Sequence, residues 1–250
     1  GCMMAAASLG DATQTAEDAH RMLREAAVSF AARETSIARV RALRGTDPGY
    51  DRAVWRSLAD LGWTGILIPE LHGGLGLGLG EMATVLEEFA KTLSPEPLNA
   101  VAVLASGVLV HGDNDALKAE LLPGLALGRV LAALAWQEPH GGIEPLEIAT
   151  RVERGVLRGE KRCVVPAEAD GYLVSAQGAD GPAVYWVEQG APGLQRAFEL
   201  RADGSRSGRL VLDGVKVSDA QRVASPAVAA VALRRCVDTA TVMAGAELLG

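Results

Sequence analysis

The sequence predicts an α+β protein of more than one domain: an N-terminal all-α domain over 11–128, a middle antiparallel β domain over 129–222, and the start of a further helical region over 223–250. Three observations carry that expectation. Apolar residues recur at three- and four-residue steps through the first half of the chain. Six short β-type runs bounded by Gly, Pro and Asp then follow, at 131–136, 155–165, 171–177, 183–188, 193–200 and 209–217, with no helix-length segment between them. Helical spacing returns from residue 226. Strands without intervening helices connect as antiparallel neighbours, and six of them suggest a small barrel or sandwich.

The first helix is expected over 11–44, where Ala19, Leu23, Ala26, Ala27, Phe30 and Ala31 share one face. The opening Gly1-Cys2-Met3-Met4 is given no structural weight. Gly45-Thr46-Asp47-Pro48-Gly49 is a turn cluster, 50–61 a second helix, and Gly62 its stop. The run 65–69 is too brief for a central strand and leads into the glycines from Gly73 to Gly80, which read as a flexible connection. A helix follows over 81–92, until Pro95 and Pro97 break it. The uncharged stretch 98–110 reads as a helix buried on most sides, and 115–122 as a short one. Asp203-Gly204 and Asp213-Gly214 read as hairpin corners. In the last helix Ala240, Ala244 and Leu248 are expected on one apolar face, and Glu247 as a solvated residue.

Composition narrows the function. With 49% apolar and 22% charged residues, 250 residues suffice for a real core. A net charge of −7 offers no basic footprint for nucleic acid, so no nucleic-acid partner is expected. Three scattered cysteines make neither a disulfide framework nor a metal knot, which suits a reducing cytoplasm. No apolar run approaches the roughly 20 residues that span a bilayer, so no membrane partner is expected. The four histidines have no i, i+3 or i, i+4 mates, and no metal site is predicted. Gly78-x-Gly80-x-x-Ala83 imitates a dinucleotide fingerprint, but no βαβ unit surrounds it, and that reading is set aside. The polar turn from Trp136 through Glu138 and Gly142 to Glu144 reads equally as a plain loop or as a turn whose backbone N–H groups face a ligand.

Six ordered blocks resemble the acyl-CoA dehydrogenase family. Residues 58–76, Leu-Ala-Asp-Leu-Gly-Trp-Thr-Gly-Ile-Leu-Ile-Pro-Glu-Leu-His-Gly-Gly-Leu-Gly, are similar to its L-x-x-L-G-W…P-E-x-x-G-G-x-G block, and Leu86-Glu-Glu-Phe-Ala to the helix after it. Leu122-Pro-Gly-Leu-Ala resembles its approach to the β region, and Glu138-Pro139-x-Gly141-Gly142 its T-E-P-x-A-G-S-D turn. Leu157-x-Gly-x-Lys161 and Leu212-Asp-Gly-Val-Lys-Val resemble two of its strands.

The resemblance implies a helical domain, a middle antiparallel β-barrel and the beginning of a C-terminal helical bundle. It also implies FAD as cofactor and an acyl-CoA thioester as substrate, oxidised to the trans-2-enoyl-CoA in fatty-acid or steroid side-chain β-oxidation. Transferred onto this chain, the flavin-contacting positions are Trp136, Gln137, Gly142, Ile143, Cys163 and Val165. The family's glutamate base is expected beyond Gly250, and no residue here is assigned as catalytic. The chain departs from the family where Gln137 replaces Thr, Ile143-Glu144 replace Ser-Asp, and Cys163-Val164-Val165 replace the aromatic, apolar and hydroxyl residues beside the flavin. The implied partners are copies of the chain in a homo-oligomer, or a related dehydrogenase subunit in a hetero-oligomer. In the second case this chain is a non-catalytic, flavin-site-degenerate supporting subunit.

Overall fold

The computed structural model describes residues 2–34 and 36–250, with side chains from residue 14 onward except 16 and 35. Six α-helices come first: α1 (Cys2–Glu34), α2 (Ile37–Leu43), α3 (Arg52–Asp60), α4 (Leu79–Ala90), α5 (Ser106–His111) and α6 (Asp115–Ala126). The single helix expected over 11–44 is two, because Ser36 caps α2 by accepting from Arg39 N at 3.1 Å. Asp51 and Asn114 cap α3 and α6 in the same way. Of the α1 face expected from spacing, Ala27 and Phe30 enter the core, Leu23 and Ala26 pack against it and Ala19 is exposed; Phe30 meets Trp63 edge-on.

The glycine-rich segment is a folded strap rather than a flexible connection. Leu75 N, Leu77 N and Gly76 N donate to Gly65 O, Ile66 O and Ile68 O at 2.8–2.9 Å. A Cβ on Gly74 would overlap the Ile68 carbonyl, so the backbone approach itself requires glycine there. The uncharged stretch after Pro97 is helical as expected, but opens as a π-helix over Asn99–Ala105 before continuing as α5.

Eight strands follow: β1 (Ala132–Ala135), β2 (Arg151–Glu153), β3 (Val156–Val164), β4 (Gly171–Gly178), β5 (Gly181–Glu188), β6 (Leu194–Leu200), β7 (Arg206–Lys216) and β8 (Arg222–Ala224). They pair in the order β6-β7-β3-β2-β4-β5-β8, with β1 beside β4. The expected all-antiparallel arrangement is corrected, because β1 runs parallel to β4 from Ala132↔Gly171 to Ala135↔Val174, and β2 touches β4 in parallel at Arg151↔Gln177. A parallel neighbour needs a crossover. Here that crossover is the 136–150 loop with the β2–β3 hairpin. Among the described residues no pairing joins β6 to β8, so the sheet path is mixed and not closed by pairing into the expected barrel. Asp203-Gly204 does turn the β6–β7 hairpin. Asp213-Gly214 instead makes a bulge, since Leu157 pairs Val215 and Arg158 pairs Asp213, leaving Gly214 over.

β4 is buried along both faces. Tyr172, Val174 and Ala176 fill a core enclosed by the sheet with Leu157, Leu210 and Val215. Leu173 on the other face joins Leu134, Val184 and Trp186 in the larger core shared with the helices. The chain ends in α7 (Ala229–Leu249), which packs against α4 and the π-helical stretch. No helix of the described residues is long and apolar enough to cross a membrane.

Candidate active-site cleft

Strand β1 ends at Ala135, and the chain leaves the sheet through Trp136 and Gln137 under the control of one buried ion pair. Lys161 Nζ donates to Glu138 Oε1 at 2.7 Å and to Ser175 Oγ at 2.9 Å, and its side chain is 0% exposed. Glu138 also accepts from Ala149 N at 2.7 Å and Thr150 N at 3.0 Å, which staples the far end of the crossover loop to its start. Burial alone would raise the Glu138 carboxyl. The Lys161 charge and the hydrogen bonds from Lys161 and Thr150 hold it below the ordinary carboxylate range instead. Burial pushes the Lys161 ammonium down to about 8 against the pull of Glu138. The 2.7 Å contact with Glu138 opposes that loss of charge.

One step along β3 the strand bulges. The register with β7 shifts between Lys161 and Val164, and Cys163 occupies the left-handed region at φ 53. For a non-glycine residue this costs on the order of 1–2 kcal/mol. Arg162 N donates to Gln137 O at 2.8 Å, so the bulge is bonded to the loop leaving β1. Bulges of this kind re-aim side chains beside sites. Here Cys163 and Val165 are turned to the same side as Trp136 and Gln137.

These four residues line a cleft of about 500 Å³. Its opposite walls are Pro97, the π-helix residues Asn99 and Leu104, and the α7 face of Val237, Ala240, Ala244 and Glu247. A second cavity of about 540 Å³, between α2, the end of α4 and the β6–β7 hairpin, shares Glu96, Pro97, Val165, Arg201 and Glu247 with it. The two form neighbouring chambers along one wall.

Of the six flavin-contacting positions expected from the sequence, the structure brings Trp136, Gln137, Cys163 and Val165 together. It places Gly142 and Ile143 elsewhere: Ile143 is 85% exposed, and Gly142 lies against His140 and Glu147. Farther along the same loop, Arg234 Nη2 of α7 donates to Glu144 Oε1 at 3.2 Å. Two expectations about α7 change as well. The cleft-facing stripe is Val237, Ala240, Ala244 and Glu247, while Leu248 is exposed. Glu247 is half-buried rather than fully solvated: burial raises its carboxyl pKa, and Asn99 Nδ2 donates to it at 3.3 Å.

Sequence reasoning passed over Lys161, Asn99 and Glu247 as site residues. For Lys161 a signal existed, because Leu157, Gly159 and Lys161 share one face of a strand at period two, and Leu157 is plainly inward. For Asn99 and Glu247 none did, since their meeting depends on how α7 crosses the π-helix.

Leu134, Trp136 and Val165 give the cleft apolar lining, and Gln137 brings a side-chain amide to it. The size lies within the range of small-molecule sites. The loop leaving β1 and the β3 bulge contribute no hydroxyl to it.

The helices, the mixed sheet and the crossing helix α7 leave a cleft beside the loop that follows β1. Residues 17–129 match the family model for the acyl-CoA dehydrogenase N-terminal domain. Isovaleryl-CoA dehydrogenase of Pongo abelii is 30% identical over 183 residues, 66% of this chain and 43% of that protein. Benzylmalonyl-CoA dehydrogenase of Aromatoleum aromaticum is 31% identical over 70% of this chain and 49% of that one. Among solved structures, a variant of the Tcur3481-Tcur3483 steroid ACAD superposes with a TM-score of 0.80 at 30% identity, covering 94% of this chain and 63% of that one. The ChsE4-ChsE5 complex from Mycobacterium tuberculosis superposes with 0.77 at 27% identity, covering 86% and 59%. The chain belongs to the acyl-CoA dehydrogenase family. It spans about half the length of the curated relatives it matches.

Proposed function

We propose that this chain is a subunit of a cytoplasmic flavoprotein that dehydrogenates an acyl-CoA thioester to the trans-2-enoyl-CoA, in fatty-acid or steroid side-chain β-oxidation. The observation that carries the reading is the cleft. The residues at the positions where the resemblance puts the family's flavin contacts, Trp136, Gln137, Cys163 and Val165, line one slot with α7 on its far side. When bound there, FAD supplies the acceptor for the β-hydrogen. The chain's own residues bind and exclude water: Leu134, Trp136 and Val165 form the dry walls, and Gln137 takes the polar edge. Lys161 and Glu138 touch no ligand and act as positioning residues, because they set the loop that carries Gln137. Two structural relatives are named as two-component assemblies, which supports a subunit in a homo-oligomer or beside a related dehydrogenase chain.

A second reading, a supporting subunit with a degenerate flavin site, rests on the absence of a hydroxyl from that loop and bulge. The test is to titrate the purified full-length protein with FAD and then with an acyl-CoA, following flavin absorbance. Saturable binding with bleaching on thioester addition supports the catalytic reading. No binding by the wild type, together with binding by Val165→Thr, supports the second reading, because one restored hydroxyl at constant volume then decides occupancy.

A further inference from the structure

Polar side chains enter the cleft from several elements, Glu96, Gln137, Arg201 and Thr241 among them, and one pair of them is hydrogen-bonded directly across it. Asn99, the first residue of the π-helix, and Glu247, on the last turn of α7, meet across it. Asn99 Nδ2 donates to Ala240 O at 3.1 Å and to Glu247 Oε2 at 3.3 Å. A backbone carbonyl only accepts, so the amide's orientation is determined. Ala240, Ala244 and Glu247 lie at i, i+4 and i+7 on one face of α7, and the two alanines leave the carboxyl uncovered toward the cavity. Glu247 also belongs to the wall shared by both chambers. Among the described residues, Asn99 is its hydrogen-bond partner, and the other carboxyl oxygen has none.

A few fixed polar groups in an apolar pocket set ligand orientation and specificity. We propose that Asn99 and Glu247 form a subsite that recognises a hydroxyl group on the acyl part of the ligand. The proposal rests on the thioester reading above and adds the chemistry of the acyl group. A ligand carboxylate is disfavoured directly beside Glu247; Glu96 is neutralised by its ion pair with Arg39, and Arg201 stands on the wall shared by both chambers. An ammonium group would require the ionised form, which burial penalises at Glu247. A hydroxyl donates to a carboxylate and accepts from a carboxylic acid, and so pairs with either form. The π-helical turn supports this placement, since such turns concentrate at functional sites.

The test compares dodecanoyl-CoA with ω-hydroxydodecanoyl-CoA, each titrated calorimetrically into the full chain with and without FAD. The wild type is expected to bind the hydroxylated thioester about tenfold more tightly, roughly the contribution of one good hydrogen bond. Glu247→Leu should bring that ratio to about one while binding the plain thioester at least as well, and Glu247→Gln should keep part of it. Asn99→Ala, which frees the carboxyl without deleting it, should reduce the ratio and serves as the second variant if the leucine protein does not fold. A ratio of one in the wild type, or an unchanged ratio in Glu247→Leu, overturns the subsite alone. Failure of both thioesters to bind the wild type overturns it together with the thioester reading.

Discussion

Glu138 is an anion held almost wholly out of water, and what surrounds it explains why it stays one. Lys161 and two backbone N–H groups replace its hydration. Removing one charge leaves the other buried and unpaired, a loss of about 3–5 kcal/mol, whereas replacing both by apolar groups is often nearly neutral. Glu138→Gln should therefore lower unfolding stability by that amount in urea titrations. The double variant Glu138→Gln with Lys161→Met should recover much of the loss, a non-additivity that measures the coupling. The pH dependence follows from the direction of the shift. The folded carboxyl lies below its unfolded value, so its stabilisation is fully present above the unfolded pKa and is lost as pH falls through the folded one. Glu138→Gln should flatten the acid limb of the stability curve. Glu247 has the opposite sign: its folded pKa is raised, so stability drains as pH climbs from the unfolded value through the folded one. Glu247→Gln should stabilise the protein at neutral pH, read as a higher melting temperature.

At the scale of elements, close approach of backbones decides more than propensity. The strap after Pro69 carries many glycines, and at Gly74 no side chain has room beside the Ile68 carbonyl. Gly74→Ala should cost about 1–3 kcal/mol, because neither backbone can give way without breaking the three strap hydrogen bonds. Gly190→Ala is the control. A Cβ there meets nothing within 4 Å, and the change should stay within about 0.5 kcal/mol. Chemical denaturation of the two proteins separates these outcomes. The bulge at Cys163 is the counterpart in the sheet, a non-glycine residue held at positive φ where β3 turns its side chains into the cleft.

At the scale of the molecule, the helices and the sheet are joined by a shared core and by a polar bracket. Arg52 of α3 donates to both carboxylate oxygens of Asp170 at 2.9 and 3.1 Å, and Asp170 also accepts from Leu131 N at 2.8 Å just before β1. The pair is partly exposed, so Arg52→Ala should cost no more than about 1 kcal/mol. Asp170→Ala also strands the Leu131 N–H and should cost about 1–3 kcal/mol. Thermal unfolding of both variants gives the order. A larger loss in the arginine variant would falsify the assignment of Asp170 as the hub.

The sequence by itself determined the succession of helical layer, sheet and further helix. Hydrophobic period is a local property, and turn residues punctuate it: all six expected strands exist, and β2 and β8 were missed as three-residue strands too short to show a period. The ordered set of motifs also picked out Trp136, Gln137, Cys163 and Val165, four residues that line one cleft. Only the tertiary structure decided that β1 lies parallel to β4, that Gly142 and Ile143 stay out of the cleft, and that Asn99 finds Glu247. Each of these is a meeting of segments far apart in the chain, set by how packed layers cross. Nothing in the local spacing of residues encodes a crossing angle, and so the polar corner of the cleft became visible only when α7 lay across the π-helix.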